Sequence, residues 1–250
     1  MSTEHAIQTR ALEHSYGDVA ILNGLDLAVP RGSVYALLGA NGAGKTTTVR
    51  ILATLLRPSG GEAYVGGHDV VRDPTAVRRL IGVTGQFSAI DDLMTGRQQL
   101  GLIAELVRVP KAERAARVSD LVDLFGLGEV VDTKAATYSG GQKRKLDLAM
   151  TLIASPAVVF LDEPTTGLDP RSRRDLWAVV RERVAAGTTV LLTTQYLDEA
   201  DALADRVGVL DGGVLVAEGT PAELKSEVGG SLDDVFLHLT DKISDTDEAR

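Results

Sequence analysis

A glycine-rich run that ends in a lysine and a threonine is the segment whose residue types and spacing most directly suggest chemistry. Glycines allow backbone N–H groups to close around an anion, and a following helix adds the positive end of its dipole. The lysine would reach the β- and γ-phosphates of a nucleotide, and the threonine hydroxyl would ligate Mg²⁺. The sequence therefore predicts a phosphate-binding loop, the P-loop. Its residues are Gly39, Ala40, Asn41, Gly42, Ala43, Gly44, Lys45, Thr46 and Thr47.

Two adjacent carboxylates, Asp162 and Glu163, follow the apolar run 158–161. At the end of a strand, Asp162 would complete the Mg²⁺ site, and Glu163 would polarise an attacking water as general base. An isolated Asp-Glu pair is more often a turn that ends a strand. Together with the P-loop, however, the pair favours nucleotide binding and hydrolysis.

These residues must be positioned by strands and helices that the sequence also predicts. Residues 34–38 are predicted to form a buried strand that leads into the P-loop, and a helix is predicted from about 45 to 56. The runs 158–161 and 190–193 predict central parallel strands because both of their faces are apolar. An amphipathic helix at 171–185 lies between them, so this order implies parallel pairing with right-handed crossovers.

The remaining segments have different patterns. The first thirty residues alternate apolar and polar positions and break at Tyr16-Gly17-Asp18, which predicts short antiparallel strands. Residues 86–155 are rich in Leu, Ala, Arg and Glu at helical spacing and predict an inserted helical subdomain. The runs 207–210 and 214–217 predict a hairpin with a bulged turn.

Composition narrows the classes of function. The chain of 250 residues carries a net charge of −9 and has no cysteine, which disfavours broad nucleic-acid binding and excludes disulfides and thiolate metal sites. No apolar run approaches the roughly 18 residues that span a bilayer, and the first ten residues have no apolar signal core, so we expect a cytoplasmic chain. The four histidines lack metal-ligand spacing and are expected to be surface or local polar residues. They are His5, His14, His68 and His238.

Four further segments resemble those of the ATP-binding cassette (ABC) ATPases. A Ser-Gly-Gly-Gln run resembles the family's signature sequence, and a glutamine resembles that of the Q-loop. A Gly-Leu-Asp-Pro run resembles the D-loop, and an early tyrosine resembles the residue that stacks on adenine. Each is a weak signal alone, but they occur in family order together with the P-loop and the acidic pair. The residues are Ser139, Gly140, Gly141 and Gln142 for the signature, Gln86 for the Q-loop, Asp169 for the D-loop and Tyr16 for the adenine contact.

The resemblance implies an α/β fold. Its centre is a P-loop NTPase (RecA-like) parallel sheet core, with an N-terminal antiparallel β subdomain and an inserted ABC helical subdomain. Residues 1–240 would form a single nucleotide-binding domain. Its predicted parts are the catalytic core at about 1–85 and 156–220, the helical signature subdomain at about 86–155 and a C-terminal segment at about 221–240; residues 241–250 are predicted to be a disordered tail.

The resemblance also implies an ATPase that works as a head-to-tail homodimer sandwiching ATP. The signature residues would contact ATP bound to the partner subunit, and Asp169 would lie at the dimer interface. Mg²⁺ would be ligated by Thr46, Gln86 and Asp162. Lys45, Glu163 and Gln195 would be catalytic.

Gln195 departs from the family pattern, which has a switch histidine after the strand at 190–194. An amide can donate a hydrogen bond to the γ-phosphate but cannot carry a proton or a charge. We therefore expect Glu163 to carry the catalysis and Gln195 to sense the γ-phosphate.

Three stretches resemble the daunorubicin/doxorubicin-resistance type of ABC exporter ATPase: residues 86–97, 193–201 and 232–237. This resemblance implies a separate multi-spanning membrane permease, export of a drug, antibiotic or lipid-like compound, and a peripheral location on the cytoplasmic face of the membrane. Apolar residues at helical spacing in the helical subdomain would either contact the permease or form the core of the subdomain. They are Leu100, Ile103, Leu106 and Val107.

Two other functions remain open from the sequence. One is a soluble ABC ATPase acting on the ribosome or on DNA, disfavoured because the chain has one cassette and no long heptad run. The other is a regulatory subunit that binds ATP and barely hydrolyses it, which Gln195 would suit. The basic run Lys143-Arg144-Lys145 could bind nucleic acid, but the net negative charge of the chain favours a solvated helix face.

Overall fold

The computed structural model of the protein describes residues 4–84 and 90–238. The strands are β1 (His5–Tyr16), β2 (Val19–Pro30), β3 (Val34–Leu38), β4 (Gly60–Val65), β5 (His68–Asp69), β6 (Ile81–Thr84), β7 (Val158–Asp162), β8 (Thr189–Thr194), β9 (Arg206–Asp211) and β10 (Val214–Gly219). The helices are α1 (Lys45–Leu52), α2 (Pro74–Leu80), α3 (Gly96–Leu106), α4 (Lys111–Leu124), α5 (Gly140–Leu152), α6 (Pro170–Ala185), α7 (Leu197–Leu203) and α8 (Pro221–Val228). A short 3-10 helix spans Ala135–Thr137, and residues 232–238 are also helical.

A six-stranded sheet forms the centre of the fold, in the order β10-β9-β3-β8-β7-β6. The strands from β9 to β6 are parallel, and β10 pairs with β9 in the antiparallel direction. Every residue of β3, β7 and β8 is buried, as expected for parallel strands covered on both faces. The predicted α/β core is therefore confirmed, and the carboxyl ends of three adjacent strands meet at one edge of the sheet.

A second, antiparallel sheet has the order β2-β1-β4-β5. The prediction of antiparallel strands in the first thirty residues is confirmed, but their predicted shortness is wrong, since β1 and β2 have 12 residues each. Ala11 adopts φ 43°, and the register between the two strands shifts between Thr9 and Leu12. Such bulges let a long strand bend and keep its apolar face on the core.

Helices α3, α4 and α5 lie between β6 and β7 in the chain and pack against one another. Leu100, Leu121 and Leu146, one from each helix, belong to the same buried cluster. The helical character predicted for this region is confirmed, whereas its boundaries as a subdomain stay a prediction. Leu100 is core, but Leu106 and Val107 are exposed.

Two local expectations were wrong. Helix α1 ends at Leu52 rather than near residue 56. In the β9–β10 hairpin the register shift lies within β10, between Leu215 and Ala217, and not in the turn. Of the two alternatives for the histidines, His14 fits the local polar residue, since it is buried with 6% of its surface exposed and packs edge-on against Tyr16.

Candidate functional site

The P-loop connects the end of β3 to the start of α1. Its tip, residues 40–42, is exposed, whereas Gly44 is buried and has φ 107°. A Cβ at Gly44 would lie 2.7 Å from Cδ2 of Leu22 and 3.1 Å from the carbonyl oxygen of Ile21. Only glycine fits this backbone conformation and this contact with β2. The loop is therefore fixed in shape by the antiparallel sheet against which it packs.

Lys45 is the first residue of α1, and 5% of its surface is exposed. Its Nζ donates hydrogen bonds to the carbonyl oxygens of Gly39 (2.7 Å) and Ala40 (3.0 Å) and lies 3.9 Å from Oε1 of Glu163. Burial lowers the pKa of Lys45, and the charges of Glu163 and Asp162 oppose that shift. The ammonium group is thus held inside the loop, opposite a carboxylate pair.

The acidic pair begins at Asp162, the last residue of β7, which is 4% exposed. Oδ1 of Asp162 accepts hydrogen bonds from Oγ1 of Thr46 (3.3 Å) and Oγ1 of Thr193 (2.5 Å). A hydroxyl and a carboxylate are hard oxygen donors, and Mg²⁺ is commonly held by one or two such groups plus substrate phosphates. Thr46 and Asp162 therefore fit a magnesium ion beside the P-loop. Gln86 lies outside the described residues.

Glu163 follows Asp162 and adopts φ 47°, a conformation that costs free energy for a residue other than glycine and is typical of functional sites. Its N–H donates to the carbonyl oxygen of Thr193 at 3.0 Å. Its Oε2 accepts from Oγ1 of Thr166 at 3.4 Å. These contacts hold the carboxylate next to Lys45, where a base for a water molecule would be needed.

Gln195 is exposed and follows directly after β8. In the sheet, Thr194 pairs with Leu38 at the end of β3, and Thr193 pairs with Asp162 at the end of β7. Strand β8 lies between the strand of the P-loop and the strand of the acidic pair. The structure therefore places Gln195 at the same edge of the sheet as both groups.

The signature residues begin helix α5. Oγ of Ser139 accepts a hydrogen bond from the N–H of Gln142 (3.2 Å), and Oε1 of Gln142 accepts from the N–H of Ser139 (2.8 Å). This reciprocal capping box fixes the start of the helix. Ser139 and Gly140 remain exposed. Because a hydroxyl can accept and donate at once, Ser139 is still able to donate to an anion.

The D-loop residue Asp169 caps helix α6. Its Oδ1 accepts from the N–H groups of Arg171 (2.9 Å) and Ser172 (3.0 Å), and its Oδ2 accepts from Oγ of Ser172 (2.6 Å). These hydrogen bonds, the Ser172 hydroxyl above all, lower the pKa of Asp169. A Cβ at Gly141 would lie 2.9 Å from Oγ of Ser172. The starts of α5 and α6, which carry the signature and the D-loop, therefore touch within one chain.

Tyr16 ends β1 and is 46% exposed. Its ring meets that of His14 edge-on, with centroids 4.8 Å apart. His14 pairs with Leu22, the residue that packs against Gly44. Tyr16 thus offers an accessible ring face on the hairpin that supports the P-loop.

Within the basic run after the signature, Lys143 and Lys145 form ion pairs at the surface, whereas Arg144 does not lie on the solvated face that the sequence favoured. Nζ of Lys143 bonds Oδ1 of Asp92 at 2.5 Å, and Nζ of Lys145 bonds Oδ2 of Asp175 at 2.9 Å. Arg144 is directed inward, with 16% of its side chain exposed. All three cations are thus engaged within the chain.

Thr193 and Thr166 contact the acidic pair, and the sequence did not single them out. The Thr-Thr pair that ends β8 is next to Gln195, so its polarity within a buried strand was the available signal. For Arg144 there was no such signal, because its contacts depend on how α5 packs against the sheet.

A lysine on a glycine-rich loop at the end of a parallel strand, facing a carboxylate pair from a neighbouring part of the same sheet, defines a P-loop nucleoside triphosphatase. The more specific identity comes from comparison with known proteins. The family model described as ABC transporter matches residues 22–166. The chain belongs to this family and is an ATP-hydrolysing, ATP-binding subunit of an ABC transporter.

Relatives and solved structures agree with this assignment. The chain is 53% identical to the daunorubicin/doxorubicin resistance ATP-binding protein DrrA of Streptomyces peucetius, over 93% of this chain and 71% of that protein. It is 46% identical to the doxorubicin resistance ATP-binding protein DrrA of Mycobacterium tuberculosis, over 90% of this chain and 68% of that protein.

Two solved structures share the fold. An ATP-binding subunit of an ABC transporter matches with a TM-score of 0.85 and 28% identity, covering 94% of this chain and 99% of that chain. The protein cbiO1 of Clostridium perfringens, part of the ABC transporter complex cbiONQ, matches with a TM-score of 0.82 and 27% identity, covering 90% and 92%. Within the described residues, no helix has the length and apolar character needed to cross a bilayer.

Proposed function

We propose that this chain hydrolyses Mg·ATP in a head-to-tail homodimer, with Glu163 as general base, and thereby drives a separate membrane permease that exports a drug, antibiotic or lipid-like compound. The observation that carries the catalytic part is the 3.9 Å approach of Lys45 Nζ to Glu163 Oε1, which sets the phosphate-binding cation beside the base. The export part rests on the relatives, whose names refer to daunorubicin and doxorubicin resistance.

The P-loop would hold the triphosphate. Lys45 would turn from the carbonyl oxygens of Gly39 and Ala40 to the β- and γ-phosphate oxygens, whose negative charge is the stronger acceptor. Thr46 and Asp162 would hold Mg²⁺, which neutralises charge on those phosphates. Because phosphoryl transfer needs mainly positioning and charge stabilisation, a rigid loop supplies much of the catalysis.

Glu163 would accept the proton of the attacking water. Its backbone N–H is held by Thr193 and its Oε2 by Thr166, so the carboxylate has few ways to reorient. Gln195, at the same edge of the sheet, would donate an amide hydrogen bond to the γ-phosphate. The proton therefore moves to Glu163 alone, since an amide has no proton-accepting role near neutral pH.

The second subunit would complete each site. Ser139 and the N-terminus of α5 are exposed and present donors that suit an anion, and in this proposal they bind the γ-phosphate held by the partner. Tyr16 would stack on the adenine, and Asp169 would lie at the subunit interface. The helical segment between residues 90 and 155 would act as the subdomain that carries the signature.

The permease would bind near the α3–α4 junction. There Leu106 and Val107 are 66% and 45% exposed, and they line a groove of about 920 Å³ together with Arg78 and Arg108. An apolar rim with cations fits a cytoplasmic segment of a membrane protein that carries apolar and acidic side chains. This contact would hold the chain at the membrane.

Steady-state ATPase rates for wild type and Glu163→Gln test the catalytic assignment. We expect the variant to lose about a hundredfold or more in kcat, because general-base catalysis contributes on that scale. Glu129→Gln, a change at an exposed glutamate on a loop, is the control and should match wild type. Equal low rates in wild type and Glu163→Gln would refute Glu163 as base and support the regulatory function that Gln195 suits.

Affinity purification of tagged Glu163→Gln with Mg·ATP from mildly solubilised cells tests the transport assignment. A multi-spanning membrane protein in near-equal amount is the expected partner, and mass spectrometry would identify it. Ribosomal or DNA-repair proteins without any membrane protein would overturn the export proposal while leaving the ATPase site intact.

A further inference from the structure

Arg144 of helix α5 reaches the backbone on both sides of Glu163. Its Nε donates to the carbonyl oxygen of Pro164 at 2.8 Å, and its Nη2 donates to that of Asp162 at 3.5 Å. Its Nη1 donates to Oδ2 of Asp147, one turn further along α5, at 3.1 Å. One guanidinium therefore joins the signature helix to the loop that carries the proposed general base.

The side chain is set firmly in this position. Arg144 and Asp147 have 16% and 9% of their side chains exposed. Burial lowers the pKa of Arg144, and the charges of Asp147, Asp162 and Glu199 oppose that shift. Arginine stays protonated in proteins and has a fixed planar fork of donors, so it can hold several acceptors at once.

The loop that it holds is one that needs support. Glu163 has φ 47°, and such backbone strain persists only where the surroundings fix it. On one side, β8 supplies the bond between the Glu163 N–H and the Thr193 carbonyl oxygen. On the other side, Arg144 supplies the bonds to the flanking carbonyl groups. Loss of Arg144 would let the peptide groups around Glu163 relax.

Arg144 also lies on the same helix as the signature, five residues after Ser139. A displacement of this helix as one body would therefore move its N-terminus and Arg144 together. In the proposed dimer, that N-terminus contacts the ATP held by the partner, whereas Arg144 contacts the Glu163 loop of its own chain.

We propose that Arg144 is a positioning residue that holds Glu163 in place and links engagement of the signature with the partner's ATP to hydrolysis in its own site. This inference rests on the proposed role of Glu163 as base. The function of Arg144 would be to couple the two ATP sites of the dimer through helix α5. Helix α5 also packs through Leu146, Leu148 and Ala149, which are buried in the core.

The test compares Arg144→Lys with Lys145→Gln. Lysine keeps a positive charge near Asp147 but cannot span both carbonyl groups, whereas Lys145→Gln removes the neighbouring cation that pairs with Asp175. We expect Arg144→Lys to lower kcat about tenfold, as small misplacements of a catalytic group do, with KM for ATP within about twofold, because the P-loop is untouched. Lys145→Gln should keep both constants.

Hydrogen exchange, followed by mass spectrometry on the peptide 162–168, tests the contact between Arg144 and the Glu163 loop without requiring ATP hydrolysis. The peptide should exchange faster in Arg144→Lys than in wild type or Lys145→Gln, while peptides from α1 stay unchanged. Unchanged kcat and unchanged exchange in Arg144→Lys would overturn the inference. So would a fall in kcat matched by an equal loss of ATP binding, since that is the result of a general structural defect.

A double variant separates this inference from the assignment of the base. If Arg144 acts through Glu163, adding Arg144→Lys to Glu163→Gln should cause less than a twofold further loss in single-turnover hydrolysis of radiolabelled ATP. A further tenfold loss would show that Arg144 acts by another route. If Glu163→Gln alone hydrolyses ATP as wild type does, the proposed function fails instead.

Discussion

At the scale of single residues, the proposed role of Gln195 limits the proton chemistry that the site can perform. It follows the strand that lies between the P-loop strand and the acidic strand, and in the proposed function its amide would meet the γ-phosphate. A histidine at this position would change its charge near neutral pH, whereas glutamine keeps the same charge at every pH. The pH dependence of ATP use should therefore differ between the two side chains.

The variant Gln195→His should make KM for ATP depend on pH. Below pH about 6.5 the imidazole is cationic and attracts the γ-phosphate, so KM should fall there relative to wild type, and the difference should vanish above pH about 8. KM measured from pH 5.5 to 8.5 at constant ionic strength checks this. Gln195→Ala is the control, because it removes the amide without adding a titrating group. A parallel pH profile for all three proteins would contradict the placement of residue 195 beside the phosphate.

Sequence alone identifies the residues that act through local patterns. Lys45 and Thr46 follow from the loop in which they stand, and Asp162 and Glu163 from their place after an apolar run. Arg144 could not be found in this way. Its neighbours Lys143 and Lys145 point to surface carboxylates, and only the packing of α5 on the sheet turns Arg144 toward the Glu163 loop. Contacts between elements distant in the chain leave no local signal.

Among the elements, α6 connects the D-loop to the segment that follows Gln195. Three residues spaced four apart lie along one side of α6 and reach this segment. Arg173 lies 4.9 Å over the ring of Tyr196, Nε1 of Trp177 donates to Oε1 of Glu199 at 3.3 Å, and Arg181 donates to the carbonyl oxygen of Ala202. A shift of α6 would therefore shift the segment next to Gln195.

Glu199 is the residue in this contact whose burial as a carboxylate reduces stability. It is 1% exposed, and burial raises its pKa. Relative to the unfolded chain, folding thus disfavours the charged carboxylate of Glu199. The stability that the protonated form provides is fully present below the unfolded pKa of about 4.5 and is lost as the pH rises through the higher folded pKa. At alkaline pH the buried charge destabilises the fold.

Glu199→Gln should remove that dependence. We expect the variant to gain about 1 kcal/mol in free energy of unfolding relative to wild type at pH 8, and less at pH 5, because an uncharged amide avoids burial of a carboxylate. Urea unfolding followed by the fluorescence of Trp177, the single tryptophan, measures both values. Glu129→Gln, at an exposed glutamate, should show no such trend. The same difference at both pH values would mean that Glu199 is not titrating on folding.

The elements were predicted best where a short, continuous apolar run marked a strand. Strands β3, β7 and β8 are entirely buried, so their apolar runs could be recognised. The end of α1 could not be, because apolar residues continue past it. Thr54 adopts φ 62° and breaks the helix, and Leu55 is then 68% exposed. A backbone conformation fixed by tertiary packing is invisible to a pattern of apolar residues.

At the scale of the whole molecule, the proposed homodimer places the signature end of α5 against the partner subunit. Gly140 is exposed, and a Cβ there would meet nothing within 4 Å. Gly128 is also exposed and open. In the proposed homodimer, the net charge of −9 per chain would make the two chains repel, and bound nucleotide would supply attraction between them. Salt that screens this repulsion should favour the dimer.

Glu163→Gln should form a dimer in saturating Mg·ATP, because slow hydrolysis keeps the γ-phosphate in place. Light scattering should then give about twice the 26.4 kDa of one chain, and Lys45→Ala, which weakens ATP binding, should stay monomeric. Adding Gly140→Glu to Glu163→Gln should abolish the dimer. A glutamate at the first position of a helix is compatible with the monomer fold, yet it would repel the partner's γ-phosphate. Gly128→Glu, added in the same way, introduces the same charge at an open site outside the signature and should leave the dimer intact. A dimer that survives Gly140→Glu would show that the chains associate through a different surface, and the signature would then have no contact with the partner's nucleotide.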